Sequence, residues 1–213
     1  MDKNWIGTDE SGKGDYFGPL VIAGVFCNLT LESKLISLNV RDSKKITDSV
    51  IYDLAEQIKK ICPFDIVLIG PEKYNQLYEK MRNLNKLLAW GHARVIENLL
   101  DQPDSAGIDY VIPDKFGDEK FIEKALMEKG EKIKLEQKIK AEEDVAVAAA
   151  SILARAEFVK RLEKLSFEFG LSLPKGSSEK VDLVAKKIVE KYGEEVLKKI
   201  AKLHFKNTSR VLV

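Results

Sequence analysis

The sequence predicts an α/β protein in which strands alternate with helices around a buried sheet, and three observations carry that expectation. Phe17 to Asn28 contains an almost unbroken apolar run, Pro19-Leu20-Val21-Ile22-Ala23-Gly24-Val25-Phe26, the pattern of a strand covered on both faces. Segments with apolar residues at helical spacing separate the strand-like runs, and such alternation argues for helices packed on a sheet. Glu142 to Phe167 reads as one long helix whose Ala146, Ala148, Ala149, Ala150 and Ala154 leave little side-chain bulk, so it can lie close to that sheet.

The elements follow in order. Asn4 to Thr8 is a short strand, Asp9 to Asp15 a glycine-rich turn, and Phe17 to Asn28 the second strand. Thr47 to Lys60 carries helical spacing, with Thr47 at the N-cap, where a hydroxyl can accept from an unpaired backbone N–H. Phe64 to Ile69 is rich in β-branched residues and reads as a third strand. Tyr74 to Met81 and Asn85 to Leu100 are helical, and Tyr110 to Ile112 is a fourth strand running into Pro113 and Asp114. Lys132 to Lys138 alternates polar and apolar residues, as an edge strand does. Val181 to Tyr192 and Glu194 to Leu203 form a final helical pair, most of whose lysines read as solvated faces. Residues 1–213 are expected to form a single domain, with roughly 170–213 as a C-terminal helical extension.

Apolar residues make up 45% of the chain and charged residues 32%, a composition of soluble globular proteins. With 35 basic and 34 acidic side chains the net charge is +1, so any affinity for phosphate must come from a local patch. Cys27 and Cys62 form neither a zinc spacing nor a redox pair and read as reduced thiols of a cytoplasmic protein. Met1-Asp2-Lys3-Asn4 does not open a secretion signal, and no apolar run approaches the ~20 residues of a membrane helix. A cytoplasmic monomer without a membrane partner is the expectation.

Gly7-Thr8-Asp9-Glu10-Ser11-Gly12-Lys13-Gly14 partly matches a phosphate-cradling loop. It fails where Gly14 replaces the Ser or Thr that would reach a magnesium ion, and where Asp9 and Glu10 would repel nucleotide phosphates. Two readings of the acids fit better. They are ligands of a hard cation such as Mg²⁺ or Mn²⁺, completed by acids from other strands, or they belong to a polar turn. Adjacent carboxylates at a strand end point to different sides, so only one is placed to bind a given ion closely.

The segment from Gly7 to Leu20 closely resembles the opening of bacterial ribonuclease HIII, and its relative ribonuclease HII usually has arginine where this chain has Lys13. Arg41-Asp42-Ser43-Lys44-Lys45 is similar to the family's Asp-Ser-Lys motif. Asn83-Leu84-Asn85-Lys86-Leu87-Leu88-Ala89-Trp90 with His92 resembles its helical segment. Ala148-Ala149-Ala150-Ser151-Ile152-Leu153-Ala154-Arg155 resembles the shared alanine-rich helix. Leu173-Pro174-Lys175-Gly176 and Ala201-Lys202-Leu203-His204-Phe205-Lys206 resemble the C-terminal region. One departure stands out. The family usually begins with a domain resembling the TATA-binding protein, and here the motif starts at Gly7.

The resemblance implies a ribonuclease H-like α/β fold, a mixed five-stranded sheet flanked by helices with a C-terminal helical appendage. It implies a catalytic metal site of Asp9, Glu10, Asp114 and Glu142 for two divalent cations, Mg²⁺ or Mn²⁺. Asp9 would bridge both ions. Glu143 or Asp144 is the alternative fourth ligand, although both read better as first-turn acids favoured by the helix dipole. Gly12, Lys13, Gly14, Ser43 and Lys44 would bind an RNA/DNA hybrid, with Lys175, Arg155 and Lys206 as weaker candidates. The implied reaction cleaves the RNA strand to leave 5′-phosphate and 3′-hydroxyl ends. Where ribonuclease HII reads a lone ribonucleotide with a tyrosine, Leu173 to Ser178 has none, so runs of ribonucleotides are the expected substrate. The alternatives are a non-catalytic hybrid-binding module and a ribonuclease HII-like enzyme acting at single ribonucleotides. His92 and His204 are expected to pack or hydrogen-bond, since a two-metal site needs no histidine base. Among the aromatics, Tyr16 and Phe17 beside the glycine turn are the candidates for stacking on a base.

Overall fold

The structure, a computed structural model, describes residues 3–40, 46–114, 120–126, 133–136 and 141–212. Its centre is a mixed five-stranded sheet in the order β3-β2-β1-β4-β5, built from β1 (Trp5–Ser11), β2 (Leu20–Cys27), β3 (Phe64–Ile69), β4 (Tyr110–Pro113) and β5 (Lys134–Leu135). The strands β1 and β4 are parallel, with Trp5 opposite Tyr110 and Thr8 opposite Pro113. The short β5 runs parallel to β4. Every residue of β2 is buried, as its apolar run requires.

β1 is longer than the sequence suggests. It continues through Asp9 and Glu10 to Ser11, past the parallel register with β4, which runs from Trp5 to Thr8 and is followed by Asp114 N–H donating to the Thr8 carbonyl at 2.8 Å. β2 starts later than expected, at Leu20. Gly18 takes φ 81°, which breaks the extended run, and Phe17 is left with an isolated antiparallel bridge to Ala201.

The chain forms two compact units. The first comprises residues 1–10, 22–67 and 83–156, and the second residues 11–21, 68–82 and 157–213.

Around the strands of the first unit lie α1 (Leu29–Ser37), α2 (Asp48–Ile61), α4 (Leu84–Leu100) and α5 (Lys120–Ala125). It also holds the start of α6 (Val145–Phe169). Apolar spacing does not announce α1. Its signal is Asn28, whose side chain accepts from Leu31 N–H at 2.9 Å and so caps the helix. Thr47 does occupy the cap position of α2, but its hydroxyl makes no capping bond and lies 3.2 Å from the Ser49 hydroxyl. The alanines Ala146, Ala148, Ala149, Ala150 and Ala154 are all buried. The approach they permit is so close that a Cβ on Gly7 would overlap the Val147 nitrogen and the Ala146 carbonyl carbon.

The second unit includes α3 (Pro71–Met81), α7 (Glu179–Tyr192), α8 (Leu197–Ile200) and α9 (Lys206–Val211). The expected helix from Glu194 to Leu203 is instead a 3-10 turn (Glu194–Val196), the single turn of α8, and an extended exit. The reason is pairing with residues far earlier in the chain. Gly18 N–H donates to the Ile200 carbonyl and Lys202 N–H to the Tyr16 carbonyl, which pulls Ala201 and Lys202 out of the helix. Asn75 on α3 completes the junction. Its amide donates to the Ala201 carbonyl at 3.0 Å and its oxygen accepts from Leu203 N–H at 2.9 Å.

Candidate active site

Three acids meet at the ends of two neighbouring parallel strands. Asp9 and Glu10 sit in the last residues of β1, and Asp114 follows directly after β4. The register that sets Thr8 opposite Pro113 carries Asp114 to the level of Asp9. Successive strand residues face opposite sides, yet each of the three offers an oxygen within 4.8 Å of the others.

The cluster sets three acidic side chains close together. Burial first, then the negative charges of Glu10 and Asp114, holds the Asp9 carboxyl well above the usual carboxylate range. Hydrogen bonds from Ser151 and from the Glu10 N–H, the latter at 2.7 Å to Asp9 Oδ1, act in the opposite direction. Oxygen donors crowded together with like charge, partly sheltered from water, are the donor set a hard divalent cation takes. The residues therefore fit a metal of the magnesium or manganese kind.

Glu10 is held from behind. Its side chain is 7% exposed, and Oε2 lies 3.3 Å from Nε2 of His92, which is fully enclosed. The other ring nitrogen, Nδ1, is 2.7 Å from the Thr8 hydroxyl, also fully buried. Neither Ser151 nor Thr8 stands out as a site residue in the sequence. The available signal is the single hydroxyl within an otherwise alanine-rich helical run, and a Thr immediately before the paired acids.

Of the other predicted site residues, Glu142 sits in a 3-10 turn (Ala141–Glu143), and its side chain lies outside the described residues. Glu143 is exposed. Asp144 Oδ1 accepts from Ala146 N–H at 3.0 Å and from the Trp5 indole at 3.1 Å, which engages it in starting α6. Ser43 and Lys44 lie outside the described residues.

In the second unit, Asp15 N–H closes a turn onto the Gly12 carbonyl at 3.3 Å. Gly12 is buried with φ 88°, and a Cβ there would overlap the Pro19 carbonyl oxygen and come within 2.9 Å of the Phe158 ring. Glycine at 12 is thus demanded by the turn itself. Gly14 is exposed and a Cβ on it would meet nothing within 4 Å, so the fold places no such demand there. Lys13 is partly exposed.

Tyr16 and Phe17 are fully buried and pack on each other at 5.1 Å, so the expectation of a stacking platform for a base is overturned. The Tyr16 hydroxyl lies 3.2 Å from that of Thr208. His204 stacks on Tyr78 at 4.2 Å, and desolvation together with the Lys202 charge pushes its pKa down to about 4. Arg155 pairs with Asp48 at 2.8 Å. Lys175 and Lys206 are exposed.

Lys202 is an exception among the C-terminal lysines, most of which read as solvated. It is fully buried, and its ammonium donates to the carbonyls of Asp15 at 2.8 Å and Gly18 at 2.7 Å. Cys27 and Cys62 are both buried free thiols. Among the described residues no helix is long and apolar enough to cross a membrane.

Comparison with known proteins sets these features in a family. The profile of the family described as ribonuclease HII matches residues 6–208. Ribonuclease HIII of Protochlamydia amoebophila is 51% identical over 207 residues, which are 97% of this chain and 68% of the relative. Ribonuclease HIII of Chlamydia pneumoniae is 46% identical over 97% of this chain and 69% of its own length. Among solved structures, Bst-RNase HIII in complex with Mn²⁺ superposes with a TM-score of 0.91 at 36% identity, covering 99% of this chain and 69% of that one. RNase H3 of Aquifex aeolicus gives 0.77 at 34% identity, over 94% of this chain and 71% of that one.

Proposed function

The chain belongs to the ribonuclease HII family, and its matched relatives at 44–51% identity are ribonucleases HIII; on that premise we propose that it is a metal-dependent endonuclease cutting the RNA strand of an RNA/DNA hybrid. One observation carries the proposal: Asp9, Glu10 and Asp114 bring oxygens within 4.8 Å of one another beside paired parallel strands. The Mn²⁺ complex of Bst-RNase HIII supports it.

In this reading Asp9, Glu10 and Asp114, with Glu142 as the fourth ligand, would hold two divalent cations, Mg²⁺ or Mn²⁺. When bound, such ions activate a water and stabilise the leaving oxygen of an in-line phosphodiester displacement. The contributions of the chain are separable. Asp9 supplies a carboxylate whose charge is costly until it is countered. Ser151 and the Glu10 N–H fix that carboxylate by hydrogen bonds. The exposed Gly14 and the partly exposed Lys13 offer backbone amides and a cation to the hybrid, and the 2′-hydroxyl is the group by which such contacts tell RNA from DNA. Ser43 and Lys44 are proposed as phosphate contacts. Absence of a tyrosine in Leu173 to Ser178 supports a preference for runs of ribonucleotides. The expected products carry 5′-phosphate and 3′-hydroxyl ends.

The test is cleavage of an end-labelled hybrid with a long RNA stretch, beside DNA duplex, RNA duplex and a duplex with one embedded ribonucleotide. Each is assayed with Mg²⁺, Mn²⁺ or EDTA, for the protein and Asp9→Asn. Metal-dependent cutting of the long hybrid, lost in Asp9→Asn, is the expected result. Efficient cutting at the lone ribonucleotide would assign a ribonuclease HII-like preference. Hybrid binding without any cutting would leave a binding module.

A further inference from the structure

Within the acidic cluster, the long side chain of Glu10 is reached by a fully enclosed histidine. Resting on the reading of Glu10 as a metal ligand, we propose that His92 is a positioning residue of the metal centre, which sets the orientation of the Glu10 carboxylate through a hydrogen-bond chain anchored on Thr8.

The chain of bonds has a single sensible direction. A carboxylate only accepts, so Nε2 of His92 carries the hydrogen pointing at Glu10 Oε2, 3.3 Å away. In the neutral ring Nδ1 is then the acceptor, and the Thr8 hydroxyl, 2.7 Å away, donates to it. Both the ring and the Thr8 side chain are shut off from water, so neither has a solvent partner to exchange for the other. Burial turns this contact into a constraint, because water is not at hand to replace either bond once it is lost.

The ring is also held by the way α4 seats. Gly91, directly before His92, lies so close to β2 that a Cβ would come 2.6 Å from Ile22 Cδ1. Ala89 and Ala93 flank this stretch and are buried. The helix is therefore fixed on the strand at the turn that carries His92. Thr8 contributes twice. Its carbonyl receives the N–H of Asp114 at 2.8 Å, and its hydroxyl holds the ring that holds Glu10. One residue of β1 thus ties the placement of an acid after β4 to the orientation of an acid on β1. A glutamate has three rotatable side-chain bonds, and a ligand fixed by outer partners needs less ordering when the ion arrives. Oε2 retains lone-pair capacity and Oε1 is untouched by this bond, so the histidine does not remove Glu10 from the donor set.

Two amide variants separate this role from mere core filling. The Gln amide nitrogen sits near the Nε2 position of histidine, whereas that of Asn sits near Nδ1. His92→Gln keeps a donor toward Glu10, and His92→Asn keeps only a partner for Thr8. The readout is Mn²⁺ binding by titration calorimetry without substrate, together with kcat and KM on the hybrid and melting temperature in EDTA. His92→Asn is expected to weaken Mn²⁺ binding by about 10–100-fold and to lower kcat with little change in KM. His92→Gln is expected to stay near the unaltered protein. Thr8→Val, close in shape, is expected to shift Mn²⁺ affinity in the same direction by a smaller factor, and it keeps the test open if His92→Asn does not fold. Glu10→Gln is the control. If it leaves Mn²⁺ binding unchanged, the ligand reading itself has failed. Should Glu10→Gln lose Mn²⁺ while His92→Asn and Thr8→Val bind it as tightly as the unaltered protein, the positioning role is overturned. It is overturned as well if His92→Gln and His92→Asn lose affinity equally, in proportion to lost melting temperature.

Discussion

Lys202 makes the pH dependence of stability unusual, and the effect can be worked out from its surroundings. Complete burial pulls its pKa from 10.5 down to about 7, while the charge of Asp15 opposes this. Three carbonyls, those of Asp15, Phe17 and Gly18, lie within 2.8, 3.5 and 2.7 Å of the ammonium and act with Asp15 to keep it charged. The remaining neighbours are the Tyr74 ring, 5.7 Å from Nζ, and His204, itself held neutral. If burial wins, the unfolded chain binds one more proton than the folded one between pH 7 and 10.5. Below pH 7 both states are protonated and this lysine adds no slope. Above that point stability rises with pH by about 1.4 kcal/mol per unit, or roughly 2–3 kcal/mol between pH 7 and 9. The assay is urea denaturation of the protein and Lys202→Met across pH 6 to 9 in EDTA. Subtracting the two curves cancels other groups, including Cys27 and Cys62, whose thiols burial pushes up. The unaltered protein is expected to gain stability on Lys202→Met as pH rises. A difference that stays flat would refute the reasoning and mean that the three carbonyls and Asp15 hold the ammonium charged throughout.

Three further outcomes test the site. Asp9→Asn is expected to abolish hybrid cleavage yet stabilise the metal-free protein by on the order of 1 kcal/mol, since it removes one charge from a buried like-charged cluster; melting in EDTA checks this. Gly12→Ala is expected to destabilise by about 1–3 kcal/mol because its Cβ meets the Pro19 carbonyl at positive φ, whereas Gly14→Ala, with open space around it, should keep stability within about 0.5 kcal/mol and weaken hybrid binding; denaturation and fluorescence anisotropy separate the two. For the fourth ligand, Glu142→Gln is expected to lower kcat and Mn²⁺ affinity together. The same assays on Asp118→Asn, an acid four residues after Asp114 in sequence, would relocate that ligand if the loss appeared there and not at 142.

Much of the site was legible in the chain. Phe64 to Ile69 has the bounds expected from its β-branched run, and the alanines of α6 foretold a helix lying against a strand at Gly7. Asp9 and Glu10 could be picked out as paired acids leaving a strand-like run, Asp114 by its match to the family's third acid after another such run, and parallel pairing of those runs is what joins them. Periodicity reports which face of an element is apolar, and that much is local. It does not report which distant polar group an inward side chain will meet. Thr8 finds His92 across 84 positions, and the Lys202 ammonium finds the Asp15 carbonyl across 187. A lysine in a lysine-rich tail and a histidine on an apolar helix look the same in sequence whether solvated or buried. Only the packing of α4 on β2, and the pairing of Ala201 with Phe17, removed their water and obliged them to bond inside.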